Sequence, residues 1–180
     1  NGDAKIDGII VENANIEQQQ SVGAIANVNR GAIDNCQVIS SVIKSNGSAK
    51  QEYVGGLVGQ NYGTIQNSKL VNSTVTHTGP QDSVNLYLGG IAGIAYSNSK
   101  INSCGVSATV DTKLIGLDSE YANVSNVGGI VGANQGKLEK CYVGGENQKV
   151  SIKLLGKKSY LGGIAGNNED SAEIVSSYCN

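Results

Sequence analysis

The chain has 180 residues, 25 of them glycine, and a formal net charge of −2 without a block of basic or acidic residues. Such weak, dispersed charge argues against electrostatic binding to nucleic acid or to an anionic membrane. The longest apolar stretch, Leu86 to Tyr96, is too short to cross a bilayer. Phe, Trp and Met are absent, so small and branched side chains must fill the interior, which suits a narrow, layered core.

One short glycine-rich apolar motif recurs along the chain. A degraded copy lies at 21–26, and fuller copies follow at 53–59, 87–93, 127–132 and 160–166, at steps of 32, 34, 39 and 34 residues between equivalent positions. Self-similarity at a nearly fixed period indicates that one small unit is stacked repeatedly. The recurring glycines are Gly55, Gly56, Gly59, Gly89, Gly90, Gly93, Gly128, Gly129, Gly132, Gly162, Gly163 and Gly166.

Residues 53–81 serve as the example of one unit. Val54 to Val58 reads as a strand, because glycines inside an apolar run would destabilise a helix. Asn61-Tyr62-Gly63 reads as a turn, and Ser97-Asn98-Ser99 and Asn168-Glu169-Asp170 are looser versions of it. A second strand is predicted at 64–71 and a third at 73–76, with relatives of the third near Val42, Val110 and Val150.

These units predict an all-β protein, a parallel β-solenoid of about five coils with three short strands per coil and a repeat near 34 residues. Like side chains should stack about 4.8 Å apart. We expect one repeat domain over 1–180, with partial units at 1–20 and 160–180 around full units at 21–52, 53–86, 87–125 and 126–159. Since the last unit stops without a polar cap, we expect a segment of a longer protein. Excursions at 111–125 and 144–159 are expected to offer binding loops.

The block from Val54 to Ile65 resembles the GLUG motif, whose Gly-Leu-hydrophobic-Gly core is matched by Gly56-Leu57-Val58-Gly59. The first copy departs from the pattern at Ala24 and Asn27. The resemblance implies a secreted or surface-attached bacterial protein, either adhesin-like or a non-catalytic part of a protein similar to immunoglobulin A1 metallopeptidases. It implies a structural or adhesive role, with no catalytic residues and no cofactor.

Cysteine and serine share one column of the aligned units. Its members are Ile9, Cys36, Ser68, Cys104, Cys141 and Ser177. A column that accepts such residues indicates an interior packing position, where cysteine acts as a small hydrophobe. Cys104 and Cys141 should lie on adjacent coils, so a disulfide stays open, but we favour buried free thiols over a disulfide or a metal site, since no Cys-x-x-Cys or nearby histidine supports zinc.

Candidate catalytic and binding residues are few. The only histidine, His77, is expected at a solvated surface position, and Asp and Glu are scattered along the chain. Tyr53, Tyr87 and Tyr160 precede equivalent strands and could contact a ligand, although the favoured interpretation is that they shield a strand edge from water. No metal or cofactor site is predicted.

The sequence therefore favours a non-catalytic stalk or spacer, extracellular or on the bacterial surface, whose partner would be a host glycan or a host or bacterial surface protein. No nucleic-acid binding and no membrane insertion by this segment are expected. A polysaccharide-degrading β-helix enzyme and an accessory domain of a secreted metallopeptidase are the alternatives. Carboxylates clustered in a cleft would favour the enzyme.

Overall fold

The computed structural model describes residues 4–79, 85–107, 112–116, 124–145, 150–154 and 159–180. In these ranges the regular secondary structure is β-strand and no helix occurs, so none of their segments is a helix that could span a membrane. The strands pair in parallel with strands one coil away. The predicted parallel β-solenoid with a repeat near 34 residues is confirmed.

The strands follow one another coil by coil. The first coil contributes β1 (Lys5–Asp7), β2 (Ile10–Glu12) and β3 (Asn15–Gln18). The second contains β4 (Ser21–Val22), β5 (Ala26–Asn29), β6 (Ala32–Asp34), β7 (Gln37–Ile39) and β8 (Val42–Ser45). The third contains β9 (Gln51–Gly55), β10 (Val58–Asn61), β11 (Thr64–Gln66), β12 (Lys69–Val71) and β13 (Thr74–His77).

The later coils repeat this order. The fourth contains β14 (Asn85–Gly89), β15 (Ala92–Ala95), β16 (Lys100–Asn102), β17 (Gly105–Ser107) and β18 (Thr112–Gly116). The fifth contains β19 (Val124–Gly128), β20 (Val131–Asn134), β21 (Lys137–Glu139), β22 (Tyr142–Val143) and β23 (Val150–Leu154). The chain ends with β24 (Ser159–Gly162), β25 (Ala165–Asn168), β26 (Glu173–Val175) and β27 (Tyr178–Cys179).

Five parallel sheets run along the stack, one for each strand position of the coil. Sheet 1 contains β4, β9, β14, β19 and β24, and sheet 2 contains β5, β10, β15, β20 and β25. Sheet 3 contains β1, β6, β11, β16, β21 and β26, and sheet 4 contains β2, β7, β12, β17, β22 and β27. Sheet 5 contains β3, β8, β13, β18 and β23.

The expectation of three strands per coil is wrong, because two predicted strands are each divided by a corner. The run from Val54 to Val58 bends at Gly56-Leu57 into β9 and β10. The run 64–71 bends at Asn67, whose φ of 50° places it in the left-handed region, and becomes β11 and β12. Asparagine tolerates this backbone better than most residues. Equivalent corners have positive φ at Gly8, Asn35, Ser103, Lys140 and Ser176.

The register of the third predicted strand also needs correction. Val75 pairs with Ile43 on one side and with Leu114 on the other. Val42 lies one residue before the equivalent position, and Ile152 rather than Val150 continues the row. Val110 lies outside the described residues. Of the two expected excursions, the structure describes 112–116, 124–125, 144–145, 150–154 and 159, and the remainder lies outside the described residues.

Columns of like apolar side chains fill the interior. Ile33, Ile65, Ile101 and Leu138 form one column in sheet 3, and all four are fully buried. Val38, Leu70, Val106 and Val143 form the next column in sheet 4. Because the β-branched and Leu side chains lie directly over one another, the core stays narrow and continuous along the stack.

Candidate functional site

The recurring glycines allow the backbones of sheets 1 and 2 to come into direct contact. A methyl group at Gly93 would lie 2.7 Å from the Val54 nitrogen and 2.9 Å from the Tyr87 oxygen, both in sheet 1. A methyl group at Gly56 would lie 2.8 Å from Leu70 Cδ1 in the core and closer still to the Gly90 oxygen of the next coil. Glycine is therefore required at these positions, because backbone or core side-chain atoms lie too close to admit a Cβ atom.

Asparagines close the corner where sheet 2 meets sheet 3. The Asn61 side-chain oxygen accepts a hydrogen bond from the Gly63 N–H at 3.3 Å, and it also accepts one from the Asn29 side-chain amide at 2.8 Å. The Asn134 amide donates to the Asn168 side-chain oxygen at the same distance, 2.8 Å. Each asparagine thus caps its own corner and bonds to the next coil, and Ala95 interrupts the row between the two pairs.

Residues 51–76 match the family model of the GLUG motif. The match begins at Gln51, the first residue of β9, and ends at Thr76 in β13, so one GLUG motif corresponds to one coil of the solenoid. A search of curated proteins found no match, and neither did a search of solved structures.

The cysteine and serine column of the GLUG coil is a hydrogen-bonded ladder. The Ser68 hydroxyl donates to the Gln66 oxygen at 2.7 Å and accepts the Cys36 N–H at 3.1 Å. The backbone of Ser68 interacts in turn with the Cys104 thiol, and the backbone of Cys104 with the Cys141 thiol. The Cys141 N–H donates to the Ser177 hydroxyl at 3.1 Å.

Each thiol in this ladder also donates a hydrogen bond to a backbone carbonyl, as the Ser68 hydroxyl does. The Cys36, Cys104 and Cys141 sulfurs lie 3.1, 3.3 and 3.4 Å from the carbonyl oxygen two residues earlier. Cys36, Ser68, Cys104 and Cys141 are fully buried, whereas Ile9 is 45% exposed and Ser177 is partly exposed in the outermost coils. From Cys36 to Ser177 the column therefore supplies a small hydrogen-bonding group to the corner between sheets 3 and 4, a role that packing arguments alone missed.

Chemical reactivity at this column is suppressed by burial. All four cysteines are free thiols, three buried and Cys179 exposed. Burial raises the pKa of the Cys104 and Cys141 thiols, so both stay protonated at neutral pH. No group of three or more His, Cys, Asp or Glu side chains that could hold a metal ion occurs among the described residues.

The tyrosines proposed for ligand contact lie in two different environments. Tyr53 and Tyr87 stack with ring centroids 5.2 Å apart, and Tyr53 is only 9% exposed because it packs against Ile94 and Ala133 of sheet 2. Tyr160 is 54% exposed, and its partner in the neighbouring coil is Asn126 rather than a tyrosine.

Two further pairs of tyrosines are stacked, and of these the pair Tyr142 and Tyr178 was not predicted. Tyr62 and Tyr96 lie at 4.1 Å with Arg30 over the outer face of Tyr62, and Tyr142 and Tyr178 lie at 5.8 Å. Their sequence signal is the equal position of each pair within neighbouring repeats.

The expectation for His77 is wrong, because the histidine is 2% exposed. Strand β13 alternates between partly buried and buried residues, and His77 falls on the buried side, paired with Ser45 of the previous coil. Both ring nitrogens are buried without a hydrogen-bond partner, and burial lowers the pKa of the imidazole. The side chain is therefore a neutral core residue at pH 7.

A buried carboxylate, that of Glu52, lies where the second coil passes into the third. Glu52 is fully buried and accepts hydrogen bonds from the Ser45 hydroxyl at 2.7 Å and from the Ala49 N–H at 2.9 Å. Burial raises the pKa of Glu52, and these two hydrogen bonds partly oppose that shift. Several carboxylates on the surface bind lysines of adjacent coils, as in Glu17–Lys44 at 3.2 Å and Glu139–Lys100 at 3.3 Å.

Proposed function

We propose that this GLUG-motif β-solenoid is a non-catalytic structural module, a rigid spacer with an adhesive side, in a secreted or surface-attached bacterial protein. The observation that carries the proposal is that buried polar side chains form hydrogen bonds between adjacent coils. Serine hydroxyls, cysteine thiols and asparagine amides bond to the next coil in register, as Cys36–Ser68 and Asn29–Asn61 do. These hydrogen bonds between coils stiffen the stack along its axis.

Surface charges support the same reading. Lys44 and Glu17 belong to paired strands of adjacent coils, as do Lys137 and Glu173. Exposed ion pairs contribute little energy each, about 0–1 kcal/mol, but pairs between directly opposed residues of adjacent coils favour one register. The extracellular or surface location rests on the resemblance to proteins that carry GLUG repeats, and a surface glycan or protein as partner rests on the same ground.

A deletion of one coil tests the spacer. Removing residues 54–87 joins Tyr53 to Leu88, and because Tyr53 pairs with Tyr87 the new junction keeps the register. Nitroxide labels on the exposed Cys179 and on a Lys5→Cys variant report the length of the stack, since the other three thiols are buried. We expect a folded protein in which the distance between labels falls by about 4.8 Å, one coil spacing.

The matched control removes half a coil, residues 54–70. That deletion would connect sheet 1 to sheet 4 and break the register, so we expect it to prevent folding. If the full-coil deletion also fails to fold, or if its label distance is unchanged, the stack is not a modular spacer.

A further inference from the structure

A recessed corner lies between two protruding ones at the junction of sheets 2 and 3. Two residues connect the sheets after Asn61 and after Asn134, whereas four connect them after Ala95 and after Asn168. The longer corners contain left-handed residues, Asn98 at φ 66° and Ser171 at φ 67°. Because the short corner after Asn134 lies between the two long ones, a notch opens one coil deep in the stack.

The notch is a polar trough across three coils. Its two halves share Ser97 and Gln135. The lining is formed by residues 97–100, 135–137, 167–171 and 173. The flanking corners are two coil spacings, about 10 Å, apart between their backbones. That gap admits a flat ring or an extended chain but not an α-helix with its side chains, which needs about 10–12 Å.

The lining chemistry suits an uncharged, hydrogen-bonding ligand. Every side chain in it carries a hydroxyl, amide, ammonium or carboxylate group, and Gly136 exposes backbone. The lysines are already neutralised, Lys137 by Glu173 at 3.1 Å and Lys100 by Glu139 at 3.3 Å. The lining also carries the carboxylates of Glu169 and Asp170, with Glu169 bonded to the Gln135 amide, so it disfavours an anionic ligand. Its mixed donors and acceptors match the hydroxyl groups of a neutral sugar.

An unsatisfied hydroxyl at the floor of the notch is a second, independent sign of a ligand. Ser99 is 3% exposed, and its hydroxyl oxygen is one of the buried side-chain atoms without a hydrogen-bond partner in the described ranges. It occupies the space that a side chain at Gly136 would take, 2.8 Å from the ideal methyl position. Buried polar groups are nearly always paired, so an orphan in a polar trough points to a partner from outside.

We propose that this notch binds a neutral, polyhydroxylated oligosaccharide, with the Ser99 hydroxyl, the Gln135 amide and the Asn98 amide as its hydrogen-bonding groups. Gln135 is held in place by its own bond to Glu169 at 2.9 Å. The inference extends the adhesive side of the proposed spacer. The two proposals fail separately, since the coil deletion 54–87 leaves the notch residues 95–100 intact.

The Ser99→Ala variant is the sharpest test, because the hydroxyl has no bond inside the described protein to lose. Binding of cellohexaose and chitohexaose, neutral linear hexasaccharides of glucose and N-acetylglucosamine, would be measured by titration calorimetry and saturation-transfer NMR. We expect at least one of them to bind the wild type with one site per chain. Ser99→Ala should weaken it at least fivefold while the thermal unfolding midpoint stays at or above that of the wild type.

Two further variants control for position. Gln135→Ala removes a notch amide and should also weaken binding at least fivefold. Arg30→Ala changes the equivalent position of a coil with a short corner and no notch, and should leave binding unchanged. The proposal is overturned if neither hexasaccharide binds, if both notch variants bind like the wild type, or if Arg30→Ala weakens binding as much as they do. Calcium alone binding at the notch, with no sugar binding, would also overturn it.

Discussion

Replacing Ser68 with alanine tests whether the cysteine and serine column acts through hydrogen bonds or through packing. The Ser68 hydroxyl accepts the Cys36 N–H and donates to the Gln66 oxygen, and the residue is fully buried. Alanine leaves the Gln66 oxygen with its other donor, the Asn35 N–H at 3.2 Å. It removes the acceptor that the Cys36 N–H uses.

The expected loss of stability follows from the Cys36 N–H, which is left without an acceptor. A buried donor left without a partner costs about 1–3 kcal/mol, and the removal of a single oxygen leaves only a small cavity. We therefore expect Ser68→Ala to lower the free energy of unfolding by about 2 kcal/mol. For a domain of this length, each kcal/mol shifts the unfolding midpoint by about 2–4 °C, so the midpoint should fall by about 4–8 °C.

The chain supplies its own control, Ser68→Cys. Cysteine occupies the same column at Cys36, Cys104 and Cys141, where each sulfur lies within 3.4 Å of the carbonyl oxygen two residues earlier. We expect this variant to stay within about 0.5 kcal/mol of the wild type, the usual range for a change without a damaging mechanism. Urea unfolding of all three proteins, followed by circular dichroism, gives the comparison. Equal stabilities of Ser68→Ala and Ser68→Cys would refute the hydrogen-bond role.

Three further predictions concern the glycine corner, the thiols and the histidine. Gly90→Ala should cost about 1–3 kcal/mol or more in urea unfolding, because its methyl would lie 2.5 Å from Val106 Cγ2, and an unchanged midpoint would contradict the close-packed corner. A colorimetric thiol assay should find one fast-reacting group in the native protein, Cys179, and four after denaturation; a second fast group in the native state would contradict the buried column. Burial lowers the pKa of His77, so the unfolded chain binds more protons just below pH 6.5. Between pH 7 and pH 5 the wild type should therefore lose stability relative to His77→Leu, by at most about 1.4 kcal/mol per pH unit, and parallel pH profiles would refute this.

Much of the architecture was predictable because the sequence repeats one pattern along the chain. The glycine-rich motif recurs near every 34 residues, and backbone contact between coils leaves no room for a side chain at Gly56 or Gly93. The apolar residues that follow each motif are equally regular. A period and a composition are enough to place Ile65 over Ile33 and under Ile101, as the structure does.

The number of strands was not predictable from the same pattern. The buried positions Ile65, Ser68 and Leu70 are three and then two residues apart, so the alternation shifts by a single residue where the backbone turns at Asn67. The residue with positive φ at the equivalent corners is variously Gly, Asn, Ser or Lys, so it gives no consistent signal. The histidine failed for another reason. Val75 and His77 share the buried side of β13, but the predicted strand ended at 76, one residue before His77.

The candidate notch shows why a binding site on a solenoid is harder to predict than the solenoid. In a stack of identical coils every corner shields its neighbours, so a recess requires two coils to differ from the one between them. Here the difference is two residues in each long corner, at 96–99 and at 169–172. Seen singly, each insertion is an ordinary polar turn. Only the register of sheets 2 and 3 places both beside Gln135-Gly136 and leaves the Ser99 hydroxyl buried between them without a partner.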